Sequence, residues 1–164
     1  MKAIETDILI VGGGLAGQNA AAEIRESDPD LRVLLCDTGG AASTEIMGFS
    51  APVHPDDSPE LFLRDILAAG GGFADPLLAR TLAERAIPEL RRLERLGIRF
   101  DKLPDGRYDT VNAVGSTHPR VVHSGTTTGK QALHLLDTEP VPMRIVQLLK
   151  NKGTICGAVA ENGS

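Results

Sequence analysis

Apolar and polar positions change period several times along the chain, and each change marks an element. Ile8-Leu9-Ile10-Val11 follows Asp7 as an unbroken apolar run that stops at Gly12-Gly13-Gly14. Such a run reads as a strand buried on both faces of a parallel sheet. Leu15 to Glu26 reads as a helix with Ala16, Ala20, Ala21 and Ile24 on its inner side, broken by Asp28-Pro29-Asp30. Leu31 to Cys36 is a second buried strand that ends at Asp37. Strand, helix and strand within about thirty residues make a βαβ unit with a right-handed crossover.

Residues 38–58 have no clear period and are rich in Gly, Ala, Ser and Pro, which marks a long loop of functional character. Ser58-Pro59 and Asp75-Pro76 each pair an N-cap residue with proline at the first helical position. The first of these helices runs to Ala69. The second carries Leu78, Leu82, Ala86, Leu90 and Leu93 on one face and ends at Gly97, with Pro88 expected to kink or restart it. Ile98 to Phe100 fits a short strand, and Leu103 to Val122 reads mostly as turn and loop. Thr128 to Leu136 is a short helix with Ala132, Leu133 and Leu136 inward. Met143–Leu149 and Thr154–Ala160 are strands joined by a turn at Asn151-Lys152-Gly153. The expected fold is therefore α/β, a single domain over 1–164. It has a βαβ core at 6–37, a loop at 38–58, a helical insert at 59–97, and a loop, short helix and C-terminal β-hairpin at 98–160.

Composition narrows the function. The net charge of −5 disfavours nucleic-acid binding, and the Arg residues between Arg80 and Arg99 alternate with Glu84, Glu89 and Glu94 as on a solvated face. No apolar run approaches the ~20 residues that cross a bilayer, and the first residues lack the plan of a signal peptide. Cys36 and Cys156 form no metal spacing and lie in apolar runs, so two buried thiols in a cytoplasmic protein are expected. With one Tyr, four Phe and no Trp, the core must rest on aliphatic side chains, whereas Gly is in excess at 18 residues.

Much of that glycine falls at one motif. Gly12-x-Gly14-x-x-Gly17 opens the first helix directly after the first strand, and Asp37 closes the second strand twenty residues after Gly17. This is the arrangement of a dinucleotide-binding turn. Gly12 permits the tight turn, Gly14 lets a pyrophosphate approach the backbone, and Gly17 lets the helix lie close on the sheet. The helix N-terminus supplies unpaired N–H groups and positive potential. Asp37 can accept from a ribose diol and would repel a 2′-phosphate, which disfavours NADP. The motif alone does not separate FAD from NAD.

Asp7 to Gly17 resembles the flavin-binding opening of the succinate dehydrogenase / fumarate reductase flavoprotein family, which includes L-aspartate oxidase. Ser43-Thr44 with Gly48, Asp65 to Gly72 with Asp75, Leu93 to Asp101 followed by Asp105-Gly106-Arg107, and Thr128-Gly129-Lys130 through His134 resemble later segments of that family in order. The resemblance implies a Rossmann-like FAD-binding portion of an oxidoreductase. In it Gly12, Gly14, Leu15, Ala16 and Gly17 would face the phosphates, Asp37 and Thr38 the adenine-side ribose, and Ser43, Thr44 and Gly48 the flavin ring side. It implies hydride exchange with a small carboxylate substrate in the full-length relatives, and raises an electron-transfer partner subunit. Members that attach flavin covalently use a histidine in the Ser/Thr loop; Ser43 takes that place here, so non-covalent FAD is expected. The helix at Thr128 meets Pro140 sooner than in the family. The family also continues into a capping domain with the Arg and His residues for substrate, which this chain is expected to stop short of. No catalytic residue is assigned. A non-catalytic nucleotide-binding remnant and an NAD-binding domain stay open.

Other candidates are weaker. His118 and His123 lie in a loop that the resemblance carries toward the flavin and substrate side, and His134 in the Thr-Gly helix. His54 lies between prolines, and the four histidines form no metal constellation. Gly125 to Gln131 is one residue short of a P-loop and lacks its Ser/Thr. No GxSxG nucleophile turn exists.

Overall fold

The computed structural model describes residues 3–136 and 139–162. Among the described residues two compact units emerge, one from residues 3–44 with 136 and 139–162 and one from residues 45–135.

The first unit is a four-stranded sheet with one helix. Strands β1 (Ile8–Val11) and β2 (Val33–Asp37) flank helix α1 (Leu15–Ser27) in sequence and pair in parallel, Ile8 opposite Val33 through Val11 opposite Cys36. β6 (Val141–Asn151) joins β2 in parallel through Cys36–Val141 and Asp37–Pro142, and β7 (Thr154–Asn162) turns back antiparallel on β6. The expected βαβ unit and C-terminal hairpin are both present. The inner side of α1 differs from expectation: Ala16 and Ala20 are exposed, while Gln18 and Ala21 are buried. Cys36 is buried as expected, and burial pushes its thiol pKa up. Cys156 is exposed, because the β6–β7 hairpin leaves its face open at that position.

The second unit contains a three-stranded sheet in the order β3 (Gly48–Ser50), β5 (Val121–His123), β4 (Thr110–Val111), all antiparallel. Its helices are α2 (Pro59–Ala69), α3 (Pro76–Leu96) and α4 (Thr128–Leu136). Ser58 Oγ accepts from Leu61 N–H at the start of α2, and Asp75 Oδ1 accepts from Leu77 and Leu78 N–H at the start of α3. α3 runs through Pro88 without interruption. Pro88 and Glu84 both face solvent, so water can serve the Glu84 carbonyl that proline deprives of its helical donor.

The buried stripe of α3 is Ala79, Ala83 and Leu90; of the expected face Leu90 is buried, whereas Leu78 and Leu82 are 69% and 55% exposed. The small alanines pack with Phe62 and Leu63 of α2, with Ile66, Leu67 and Ala86 at the margin. Ile98 and Phe100 are buried but form no strand. The Ile98 N–H closes α3 by donating to Leu93 O, while Gly97, at φ 119°, donates to Glu94 O. The long loop after β2 also holds more structure than expected, with a 3-10 turn at Ala42–Glu45 and then β3.

Candidate functional site

The glycine turn leaves the C-terminal end of β1 and enters α1. Gly12 sits at φ 110°, a conformation L side chains avoid, and its N–H donates to Cys36 O at 2.8 Å. Gly17 packs directly over this turn: a Cβ there would lie 1.9 Å from the Gly12 carbonyl oxygen. Gly13 is buried against the end of β2, where a Cβ would come within 2.6 Å of both Asp37 Oδ2 and Pro140 Cγ. At Gly14 a Cβ would meet only Ser43 Oγ, at 3.0 Å. Gly13 is thus covered by Asp37 and Pro140, while the backbone at Gly14 faces only Ser43, and α1 extends for 13 residues behind it.

Most of the expected site residues converge here. Gly12, Gly14 and Gly17 form the turn, and Leu15 and Ala16 begin α1, Ala16 being exposed. Asp37 closes β2, with Oδ1 accepting from Thr38 N–H at 2.8 Å, and Thr38 is exposed. Ser43 comes back to the turn from 28 residues away, its Oγ accepting from Leu15 N–H at 3.1 Å. The Thr44 hydroxyl donates to Ala41 O in the 3-10 turn. Gly48 belongs to the second unit. It pairs with His123 on β5, and a Cβ there would lie 2.6 Å from Val121 Cγ1 and from Val122 O.

Gln18 is a member of this turn that the sequence reading did not single out. Its Nε2 donates to Gly13 O at 2.9 Å, while its Oε1 is buried without a partner. The available signal was an amide side chain directly after Gly17, among the small residues Ala16, Gly17, Ala20 and Ala21 of α1.

The second unit holds two polar clusters. Arg120 is fully buried on β5's approach and binds Asp57 through Nε and Nη2 at 2.7 and 2.8 Å and Asp65 through Nη1. Asp65 also accepts from the N–H and hydroxyl of Thr117. Burial pushes the Asp65 pKa up, but the Arg120 and Thr117 hydrogen bonds and the Arg120 charge outweigh it and hold the carboxyl at about 2. His118 Nδ1 lies 3.6 Å from Asp57, and its ring is 5.8 Å from that of His54. In the second cluster Asp101 Oδ2 meets His123 Nδ1 at 2.9 Å and accepts from Gly125 N–H at 2.7 Å. His134 is exposed on α4.

Among the described residues, no group of three or more His, Cys, Asp or Glu side chains could hold a metal. No helix among them is long and apolar enough to cross a membrane.

The chain is similar to known proteins in sequence and fold. The family model described as FAD binding domain matches residues 7–164. A CoM/CoB fumarate reductase subunit of Methanothermobacter marburgensis is 32% identical over 94% of this chain and 31% of its own. L-aspartate oxidase of Mesorhizobium japonicum is 36% identical over 78% of this chain and 25% of its own. The structure of Mycobacterium smegmatis Sdh1 in complex with UQ1 superposes with a TM-score of 0.88 at 25% identity, covering 99% of this chain and 31% of that one. The chain thus spans between a quarter and a third of the length of these relatives.

Proposed function

This chain belongs to the FAD-binding domain family, and we propose that it is the FAD-holding portion of a fumarate reductase / succinate dehydrogenase-like oxidoreductase that binds its flavin without a covalent bond. The observation that carries the reading is the Gly14 backbone at the N-terminus of α1, faced only by Ser43, with Asp37 packed on the neighbouring Gly13. These residues fit a dinucleotide: no Cβ obstructs the turn, and the helix start offers donors and positive potential to a pyrophosphate.

In this reading the N–H groups of Gly14 and Ala16 face the phosphates. Ser43 belongs with them, because its oxygen already accepts from Leu15 and its own O–H remains to donate outward. Asp37 takes the ribose diol as an acceptor, with Thr38 beside it. Thr44 remains a ring-side assignment in this unit, and Gly48, in the second unit, is packed against Val121 and Val122 of β5. Bound flavin supplies two-electron redox chemistry, hydride acceptance or donation with a small carboxylate in the whole protein. The residues of this chain bind and orient; the groups that bind such a substrate and move its proton are assigned to the longer protein. A cytoplasmic setting and an electron-transfer partner subunit complete the proposal.

The test is titration of the apo chain with FAD by flavin fluorescence, for wild type and Gly14→Val. The valine methyls fall between the turn and Ser43 Oγ, which a Cβ at Gly14 would already approach to 3.0 Å, and FAD affinity should drop at least a hundredfold. Equal affinity for both proteins refutes the assignment. Acid precipitation of the loaded protein should leave a colourless pellet; a yellow pellet refutes non-covalent binding.

A further inference from the structure

We infer that Gln18 is a positioning residue for dinucleotide phosphate, acting through the Gly13–Gly14 peptide. The inference rests on the FAD reading above and extends it to a residue outside the glycine motif.

The starting observation is a conflict within one side chain. Gln18 is 7% exposed; its Nε2 donates to Gly13 O at 2.9 Å, and its Oε1 meets no donor among the described residues. Rotating the amide does not relieve this, because it would set Oε1 against the Gly13 carbonyl oxygen and strand Nε2. The orientation is therefore fixed, and it leaves a buried acceptor unsatisfied. Such a group destabilises the folded chain, so its retention asks for a role that outweighs the cost.

Peptide geometry supplies the requirement. A trans peptide is planar, with its C=O and N–H pointing in opposite directions. Drawing Gly13 O inward to Gln18 Nε2 turns the Gly14 N–H outward, away from the helix. Gly14 N–H meets no acceptor among the described residues, and Gly14 is the N-cap of α1, where a phosphate is stabilised by the helix. Both neighbours of that peptide are glycines, whose backbones rotate more readily than any other. Without the clamp, this peptide plane is the part of the turn best able to flip and present a carbonyl oxygen to the phosphate. Gln18 can hold it because long side chains on a helix lean back toward the N-terminus, and its own N–H is already anchored on Gly14 O at 3.0 Å. Ser43 does the equivalent task one residue on, at Leu15 N–H, so the turn is fixed from two sides.

The experiment compares wild type, Gln18→Met and Gln18→Glu in two measurements, FAD affinity of the apo chain and its melting temperature without ligand. Methionine keeps the length and apolar stem but removes both polar atoms. It exchanges one unsatisfied acceptor, Oε1, for another, Gly13 O, so the melting temperature should stay within about 2 °C of wild type. Its FAD dissociation constant should rise about tenfold, the loss of one orienting hydrogen bond. Glutamate puts a carboxylate oxygen against Gly13 O and should weaken FAD at least as much. Inorganic pyrophosphate should compete with FAD for wild type and lose the same factor in Gln18→Met, which locates the effect at the phosphates.

Unchanged FAD affinity in Gln18→Met overturns the positioning role while leaving the FAD reading intact. A melting temperature that falls by more than about 5 °C in Gln18→Met assigns the residue to folding alone and also overturns it. A wild-type chain that folds but binds neither FAD nor pyrophosphate overturns the FAD reading itself.

Discussion

Replacing Arg120 by methionine removes a charge that this fold has enclosed completely. Arg120 and Asp57 side chains are both 0% exposed and joined by two hydrogen bonds, and the third arm of the guanidinium reaches Asp65 on α2. Methionine can keep the contact with the Phe62 ring, whose centroid lies 4.9 Å from Arg120 Cζ. What disappears is the cation, leaving Asp57 buried beside no full positive charge. Breaking a buried pair in this way costs about 3–5 kcal/mol, a large share of the ~5–15 kcal/mol that holds a typical domain folded.

The pH dependence separates this cause from simple loss of packing. In the wild type the Asp65 pKa falls from 3.8 to about 2, so its contribution is present above the unfolded value and is lost as pH falls through the folded one. In Arg120→Met that contribution shrinks, because the hydrogen bond and charge of Arg120 that lower the Asp65 pKa are gone. The stability gap between the two proteins should be widest near pH 7 and narrow below about pH 4. Urea denaturation followed by circular dichroism at both pH values measures it, with Arg120→Met/Asp57→Asn as a partial rescue. A gap under ~1 kcal/mol at pH 7, or one that neither acid nor Asp57→Asn relieves, refutes the electrostatic account.

Gly17→Ala and Gly14→Ala should differ sharply in thermal stability. The first sets a Cβ 1.9 Å from a backbone oxygen, whereas the second meets only a rotatable hydroxyl at 3.0 Å; the Gly17 change should cost ~3 kcal/mol or more and the Gly14 change under ~1, and equal melting temperatures would contradict the packing of α1 on the turn. Tyr108 is the one tyrosine of the chain, so ultraviolet titration reports it alone. Burial and the hydrogen bond and charge of Glu94 push it up to about 12, so the protonated phenol adds stability below the unfolded value near 10 that is lost as pH rises through 12. Tyrosinate absorbance that grows in fully by pH 10.5 in the folded protein would contradict this.

The βαβ unit and its glycine turn were legible because their signals are local: an apolar run, three glycines and an acid within a short stretch. Elsewhere the sequence misled where packing chose against hydrophobicity. On α3, the spacing of Leu78 and Leu82 pointed to a leucine face, but close approach of α2 favoured Ala79 and Ala83. Pro88 pointed to a kink or a restart, yet α3 continues through it as one helix. Ile98 is apolar enough for a strand, yet its N–H closes a helix. The Arg120 cluster was invisible for another reason. Its carboxylates lie 63 and 55 residues away along the chain, and no periodicity spans such a distance.

The same limit explains why the motif states less about the turn than its geometry does. The glycines say where side chains must be absent; they do not say which way the bared peptides face. That second property depends on polar partners, and here they come from opposite sides of the turn: Gln18 from within α1 and Ser43 from 28 residues further along the chain. Glycine makes close approach of a phosphate feasible and makes the backbone loose at the same positions. A turn with glycines alone would have to order its peptides on binding, at a cost in affinity. A turn whose Gly13 carbonyl and Leu15 N–H are already held presents its donors before the ligand arrives. In the FAD reading, Gln18 satisfies the Gly13 carbonyl and leaves its own oxygen unsatisfied, a trade of one acceptor for another that fixes the peptide. This trade is open to measurement in a way the glycine motif is not, because methionine at position 18 removes the order without filling the space that glycine leaves.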